Sequence, residues 1–275
     1  MERKPRTYSK PYSKPYPKPY SKPHTRKPVA KPSEESGEVR LNKFIANSGI
    51  CSRREADVYI QTGLVGVNGK IVTELGTKVK PETDEIRFNN ERIRGEKKVY
   101  LIMNKPKDYV TTLSDPHADH TVMELISREK CPERVVPVGR LDKATTGVLL
   151  LTNDGDLTER LTHPSHQVRK IYHAFLDKNL SRDDFNRILN GIELEDGPIA
   201  ADSLSYVEED RSQVGLEIHS GRNRIVRRIF EHLGYRVKKL DRVCFAGLTK
   251  KNVRRGQWRF LTEKEINLLK MGAFE

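Results

Sequence analysis

Two short apolar runs stand out along the chain, Val99 to Met103 and Val148 to Leu151, each closed by polar turn residues. Uninterrupted apolar runs of that length predict strands buried on both faces. Near the start of the ordered part the spacing differs. Leu41, Phe44 and Ile45 fall at i, i+3, i+4, one face of a short helix closed by Gly49. Ser52-Arg53-Arg54-Glu55 has the form of a capping box and opens a second helix that runs to Gly63. Val65 and Val67 then alternate, and Asn68-Gly69 predicts a tight hairpin turn before Ile71 and Val72.

The second half repeats these signals. Residues 112–137 are polar, with a short helix expected around Val122–Ser127. Asn153-Asp154-Gly155 turns into a helix ending near Leu161, and His163-Pro164-Ser165 breaks the chain. Lys170 to Phe175 alternates like a strand, which puts Tyr172 on the face of Lys170 and Ala174. Ser181 caps a helix to Asn190 with Phe185, Ile188 and Leu189 inward and Gly191 as its stop. Strands are expected over Ser203–Glu208 and Val214–His219. Gly221 suits a tight turn into a helix whose apolar face is Ile225, Val226, Ile229 and Phe230, ending at Gly234. Thr262-x-x-Glu265 caps a last helix to Lys270. A helix set between paired strands fits an α+β class on a mostly antiparallel sheet.

Charge divides the chain. The formal net charge is +13, but residues 1–32 hold ten Lys or Arg against Glu2 alone, so only +4 belongs to the rest. Those first residues also hold eight of the fifteen prolines and four tandem copies of a Tyr-Ser/Pro-Lys-Pro unit over residues 8–23. Proline at that density forbids helix and sheet. We read residues 1–37 as a disordered basic tail, able to hold RNA by phosphate attraction and tyrosine stacking, or simply to solubilise. Residues 38–97 then form a small helix–hairpin domain and residues 98–275 a larger one.

Several function classes lose support. The three cysteines are far apart and form no C-x-x-C, which points to a reducing compartment without a disulfide framework. The basic N-terminus lacks the apolar core of a secretory signal, and no apolar run is long enough to span a bilayer, so a cytoplasmic place is the default. There is no phosphate-binding glycine loop and no dinucleotide fingerprint, so no cofactor is expected. The pairs His117/His120 and His163/His166 lack a cysteine or carboxylate pattern around them, and no metal is expected.

Candidate chemistry gathers in two places. Gly139-Arg140-Leu141-Asp142 is a polar loop feeding into the Val148–Leu151 strand, the kind of anchored loop that holds catalytic side chains. By spacing alone Asp142 can equally pair with Arg140 or cap a turn. Ser220 to Phe230 carries Arg222, Arg224, Arg227 and Arg228 within seven positions, which suits phosphate contact or a solvated helix face.

The stretch Gly139-Arg140-Leu141-Asp142-x-x-Thr145-x-Gly147-Val148-Leu149-Leu150-Leu151-Thr152-Asn153-Asp154-Gly155 resembles the catalytic motif of the RsuA family of RNA pseudouridine synthases. Val148 stands where that family usually has Leu. Asn104-Lys105-Pro106, Lys170-x-Tyr172 and Gly221-Arg222-Asn223-Arg224 to Phe230 resemble its other motifs, with Asp108 in place of a usual Gly and Ile225 in place of a usual Gln. Leu41 to Lys70 resembles the S-four RNA-binding domain that precedes the catalytic one.

The resemblance implies a pseudouridine synthase fold with a mixed sheet. It implies Asp142 as the catalytic carboxylate, Arg227 as its charge partner and Tyr172 as the ring that stacks on a flipped base. Arg140, Lys170, Arg222, Arg224 and Leu240 fall in matched segments and are expected to meet the RNA. Lys43, Arg53, Arg54 and Lys70 are expected to contact phosphates from the S-four domain. The implied activity is cofactor-independent isomerisation of a uridine in ribosomal RNA, with the large subunit favoured and a monomer expected. A non-catalytic RNA-binding assembly protein that keeps the fold is the alternative.

Overall fold

The structure is a computed structural model, and it describes residues 37–207 and 209–272. The expectation for the basic tail lies outside the described residues except at Gly37.

The small N-terminal domain forms as its pattern dictates. Helix Leu41–Asn47 buries Leu41, Phe44 and Ile45. Helix Arg53–Gln61 starts on a complete capping box: Ser52 Oγ accepts from Glu55 N at 3.2 Å, and the Glu55 carboxylate accepts from Ser52 N at 2.7 Å. The helices pack on a four-stranded sheet ordered Lys70–Ile71, Val65–Val67, Ile86–Phe88, Glu91–Arg92. Asn68 and Gly69 both take positive φ, 51° and 78°, as a type I′ hairpin requires. The domain has its own core around Ile45, Ala56, Ile60, Val65 and Ile86.

The larger domain is built on one mixed sheet. Its strands run in the order Ser203–Val207, Asp210–Ile218, Lys170–Leu176, Val237–Phe245, Thr145–Thr152, Tyr100–Lys105, Trp258–Phe260. Every neighbour along this path is antiparallel except one: Val237–Phe245 runs parallel to Thr145–Thr152. The two apolar runs pair with each other at the centre, Leu101 opposite Leu151 and Met103 opposite Leu149. Leu101, Met103, Leu149 and Leu151 enter one core, and Tyr100, Ile102, Val148 and Leu150 enter another on the opposite face. Burial on both faces is why these strands lack polar alternation.

Three local features differ from the sequence reading. The arginine-rich helix starts only at Ile225, so Arg222 and Arg224 lie in the loop before it. The left-handed residue there is Arg224, at φ 49°, not Gly221. The strand expected from Val214 begins earlier, at Asp210. The Asp108 exchange leaves its turn in place: Asp108 takes φ 72°, a conformation that aspartate tolerates better than most side chains.

The parallel junction depends on Gly147. It sits at φ 109° opposite Arg242, and a Cβ there would lie 2.1 Å from the Arg242 carbonyl oxygen and 2.7 Å from its nitrogen. Relief would require the two central strands to part. Gly147→Ala is therefore expected to lower the unfolding free energy by about 3 kcal/mol or more in denaturant titrations. A loss below about 1 kcal/mol would show that the junction yields easily.

Candidate active site

Asp142 lies in the loop between the short strand Val136–Pro137 and the central strand Thr145–Thr152. Thr111 Oγ1 holds the loop from one side, accepting from Leu141 N at 3.2 Å and donating to Leu141 O at 2.9 Å. Lys105 holds it from beneath. That residue is 0 % exposed. Its Nζ reaches four carbonyl oxygens: Thr145 at 2.9 Å, Pro106 at 3.1 Å, Asp142 at 3.2 Å and Lys143 at 3.3 Å. Burial pushes the ammonium down from its ordinary 10.5 to about 8, against the opposing pull of Asp142.

The backbone is thus fixed while the Asp142 side chain stays about a third exposed. Its cationic neighbours are Arg224, with Nη1 3.8 Å from Oδ2, and Arg227, with Nε 4.0 Å from the same oxygen. Both are ion pairs just beyond hydrogen-bond length. Arg140 is exposed at the cavity rim and forms no ion pair with Asp142 among the described residues. Arg227 is buried, and its Nη1 donates to Val237 O at 2.9 Å. Its Nε and Nη2 have no hydrogen-bond partner. Burial, with the charge of Arg224 behind it, lowers the Arg227 pKa.

The four clustered arginines divide their work. Arg228 makes a paired contact to the Asp196 carboxylate at 2.6 and 2.8 Å. Arg222 donates to Gly197 O at 2.9 Å and Pro198 O at 3.0 Å, so it clamps the Ile192–Ile199 hairpin while still lining the cavity. Arg224 is shared between Glu231, 3.5 Å away, and Asp142, and Arg227 is left for Asp142.

The loop, the sheet and this hairpin enclose a cavity of about 820 Å³. Asp142, Lys170, Tyr172 and Leu240 all line it, so the sequence-predicted residues converge. Tyr172 is buried on the sheet face directly opposite Arg242. Leu240 pairs across the parallel junction with Thr145. Arg227 sits behind Asp142 and does not line the cavity.

The N-terminal domain places its basic residues differently from one another. Arg53, Arg54 and Lys70 are exposed. Lys43 is ion-paired with Asp156 at the start of helix Gly155–Thr162 in the larger domain. Asn153 adds to that junction, donating to Glu96 at 3.2 Å and to Lys97 O at 2.9 Å. No group of side chains able to hold a metal ion occurs among the described residues.

A family model described as RNA pseudouridylate synthase matches residues 99–232, and one described as S4 domain matches residues 39–86. An uncharacterized RNA pseudouridine synthase of Aquifex aeolicus (strain VF5) is 40% identical over 232 residues, 83% of this chain and 92% of its own length. This chain belongs to the RsuA family of RNA pseudouridine synthases. It is likewise similar to the ribosomal large subunit pseudouridine synthase B of Bacillus subtilis (strain 168), 37% identical over 84% of this chain and 95% of that one. The dual-specificity RNA pseudouridine synthase RluF of Escherichia coli (strain K12) is 36% identical over 85% of this chain and 79% of its own. A crystal structure of a pseudouridylate synthase shares the fold with a TM-score of 0.60 at 31% identity, covering 84% of this chain and 99% of that one.

The synthase therefore acts on RNA and carries an S4 RNA-binding domain. Three of its site-forming residues escape a reading of the sequence. Lys105 shows only as part of an Asn-Lys-Pro match, and nothing local says that its ammonium is buried. Arg242, 3 % exposed, lines the cavity two residues after Leu240, and nothing local in the sequence signals its burial. Asp241 accepts from Thr146 at 2.6 Å and Arg255 at 3.0 Å and pairs with Lys250, tying the Asp142 strand to the far loop.

Lys105 also sets a pH signature. Its folded-state pKa of about 8 lies below its ordinary 10.5, so between those values the unfolded chain binds more protons. This group's destabilising contribution is complete below about pH 8 and disappears as pH rises to 10.5. Lys170 and Lys250, also lowered to about 8, act with the same sign. Lys105→Met should flatten the rise of unfolding free energy across that window and depress activity at neutral pH. An unchanged slope with pH would place the titration on other groups.

Proposed function

We propose that this synthase isomerises a specific uridine of ribosomal RNA, in the large subunit, with Asp142 as the catalytic carboxylate. The reading rests above all on Asp142: a carboxylate on a backbone pinned by Lys105, facing a cavity, with two guanidinium groups at 3.8 and 4.0 Å. The Bacillus relative's name points to the large subunit.

In uridine isomerisation the bond from N1 to ribose C1′ breaks, the freed base turns, and C5 bonds to C1′. The C5 hydrogen is lost and N1 gains one. Substrate and product hold the same atoms and electrons, so the reaction requires no redox partner or energy source. As N1 leaves, positive charge develops on the ribose. An ionised carboxylate meets that charge electrostatically or bonds to C1′ outright. Arg224 and Arg227 place positive charge beside the Asp142 carboxylate.

The target base must leave its stack to reach a carboxylate inside a cavity. Tyr172 offers it a ring, held against sliding by the Arg242 strand alongside. Leu240 closes the apolar side. Arg140 and Arg224 at the mouth, with Arg53, Arg54 and Lys70 on the S4 domain, supply exposed cations for the RNA backbone.

Asp142→Asn keeps the side chain's shape and removes its charge. It should lower turnover on the order of 10³-fold or more while leaving RNA affinity within a few-fold. Pseudouridine mapping of ribosomal RNA from cells carrying either form, at matched protein level, should lose one site in the mutant. A large-subunit position bears out the substrate assignment, and a small-subunit one refutes it. An unchanged map removes Asp142 from the chemistry.

A further inference from the structure

Arg242 is 3 % exposed, yet its guanidinium is only partly engaged. Nε donates to Val148 O at 2.8 Å, and the group lies over the Phe245 ring at 4.5 Å. Nη2 is buried with no hydrogen-bond partner. On the adjacent strand, Lys170 Nζ donates to Val168 O at 2.7 Å and His219 O at 2.9 Å, which leaves one N–H free. Both side chains line the cavity that holds Asp142 and Tyr172.

Two cations withdrawn from water on neighbouring strands raise each other's cost. The effect shows in Lys170, which burial and the charge of Arg242 push down to about 8. Asp202 acts on Lys170 through space, but its carboxylate is hydrogen-bonded to His219 at 2.9 Å. The pair therefore brings an unpartnered guanidinium N–H, one free ammonium N–H and two neighbouring positive charges to the wall of the cavity. An anion shared between them resolves both deficits, and a guanidinium edge beside an ammonium suits tetrahedral oxygens.

We propose that Arg242 and Lys170 form a phosphate subsite, which holds a phosphodiester of the nucleotide drawn into the Asp142 cavity. The inference rests on the reading of that cavity as the uridine site, and gives it a second anchor. A phosphate fixed there restrains the ribose from its backbone side, so that the orientation of C1′ toward Asp142 is set by the protein. Arg242 lies opposite Tyr172 in the sheet, so anchor and stacking ring move as one rigid unit.

The test is binding and does not depend on turnover. Uridine, uridine 5′-monophosphate and uridine 3′-monophosphate are titrated into the full chain carrying Asp142→Asn, followed by NMR. One monophosphate should bind about tenfold more tightly than uridine, and which one it is identifies the linkage held. Adding Lys170→Met should reduce that gain to about twofold or less. Arg242→Gln, checked for folding by thermal unfolding, serves as the second variant and should do the same. Equal affinity for all three ligands overturns the subsite, as does a gain that survives in both variants. If a monophosphate binds in a Lys170-dependent way but uridine itself does not bind, the subsite stands and the uridine reading of the cavity fails. If the pseudouridine map depends on Asp142 while phosphate brings no gain, the reverse holds.

Discussion

A lysine with no access to water underlies the whole site. Lys105 occupies the last position of a central strand, where both faces are covered, and its ammonium hydrogen-bonds to backbone carbonyls alone among the described residues. Taking such a charge out of water is costly, and here four carbonyl oxygens compete for three protons. Two of those oxygens belong to the Asp142 loop, and a third is that of Thr145, where the central strand begins. The loop cannot shift without stranding a buried charge, so its conformation is inherited from the sheet. The same positive charge lies under the carboxylate that the loop displays. One buried group therefore supplies geometry and field together.

Around that anchor, positive charge is apportioned by structure rather than by sequence position. Asp196, at the tip of the Ile192–Ile199 hairpin, takes Arg228 fully and Arg222 in part. The hairpin is thereby fastened to the arginine helix and becomes a wall of the cavity. The left-handed turn at Arg224 swings its side chain back toward Asp142. Asp196 compensates Arg228 and part of Arg222, and Glu231 shares Arg224 with Asp142. The short ion pairs thus lie at Asp196, and the longer ones, at 3.8 and 4.0 Å, are left at Asp142.

Much of this fold is legible in the residues, and the reasons are local. Val148 to Leu151 reads as doubly buried because no polar residue interrupts it, and both cores accept it. Ser52 and Glu55, or Thr262 and Glu265, specify helix starts by hydrogen bonds three residues apart. Asp142, Tyr172 and Leu240 are found by their motif, and they meet at one cavity. What is not legible depends on distance along the chain. Spacing cannot tell which arginines face Asp142, because Asp196 decides it from an earlier hairpin. Nor can spacing tell that Lys43 pairs with Asp156, more than a hundred residues on. Burial of Lys105 and Arg242 runs against their residue types, and only the assembled sheet imposes it.

The cavity is also deliberately unfinished in electrostatic terms. Asp142 stands at ion-pair rather than hydrogen-bond distance from its cations, and Arg227, Arg242 and Thr145 keep buried polar atoms without partners. Native interiors leave few such atoms, and here Arg242 and Thr145 hold theirs in the cavity wall, with Arg227 behind Asp142. Each carries a desolvation penalty that the rest of the fold must offset. That penalty is relieved when a ligand rich in acceptors enters, because donors already aimed and already dry need no reorganisation. A site completed within the protein would be more stable and would have nothing left to give a nucleotide. The two well-packed cores on either face of the central strands supply the stability that lets this one region remain unsatisfied.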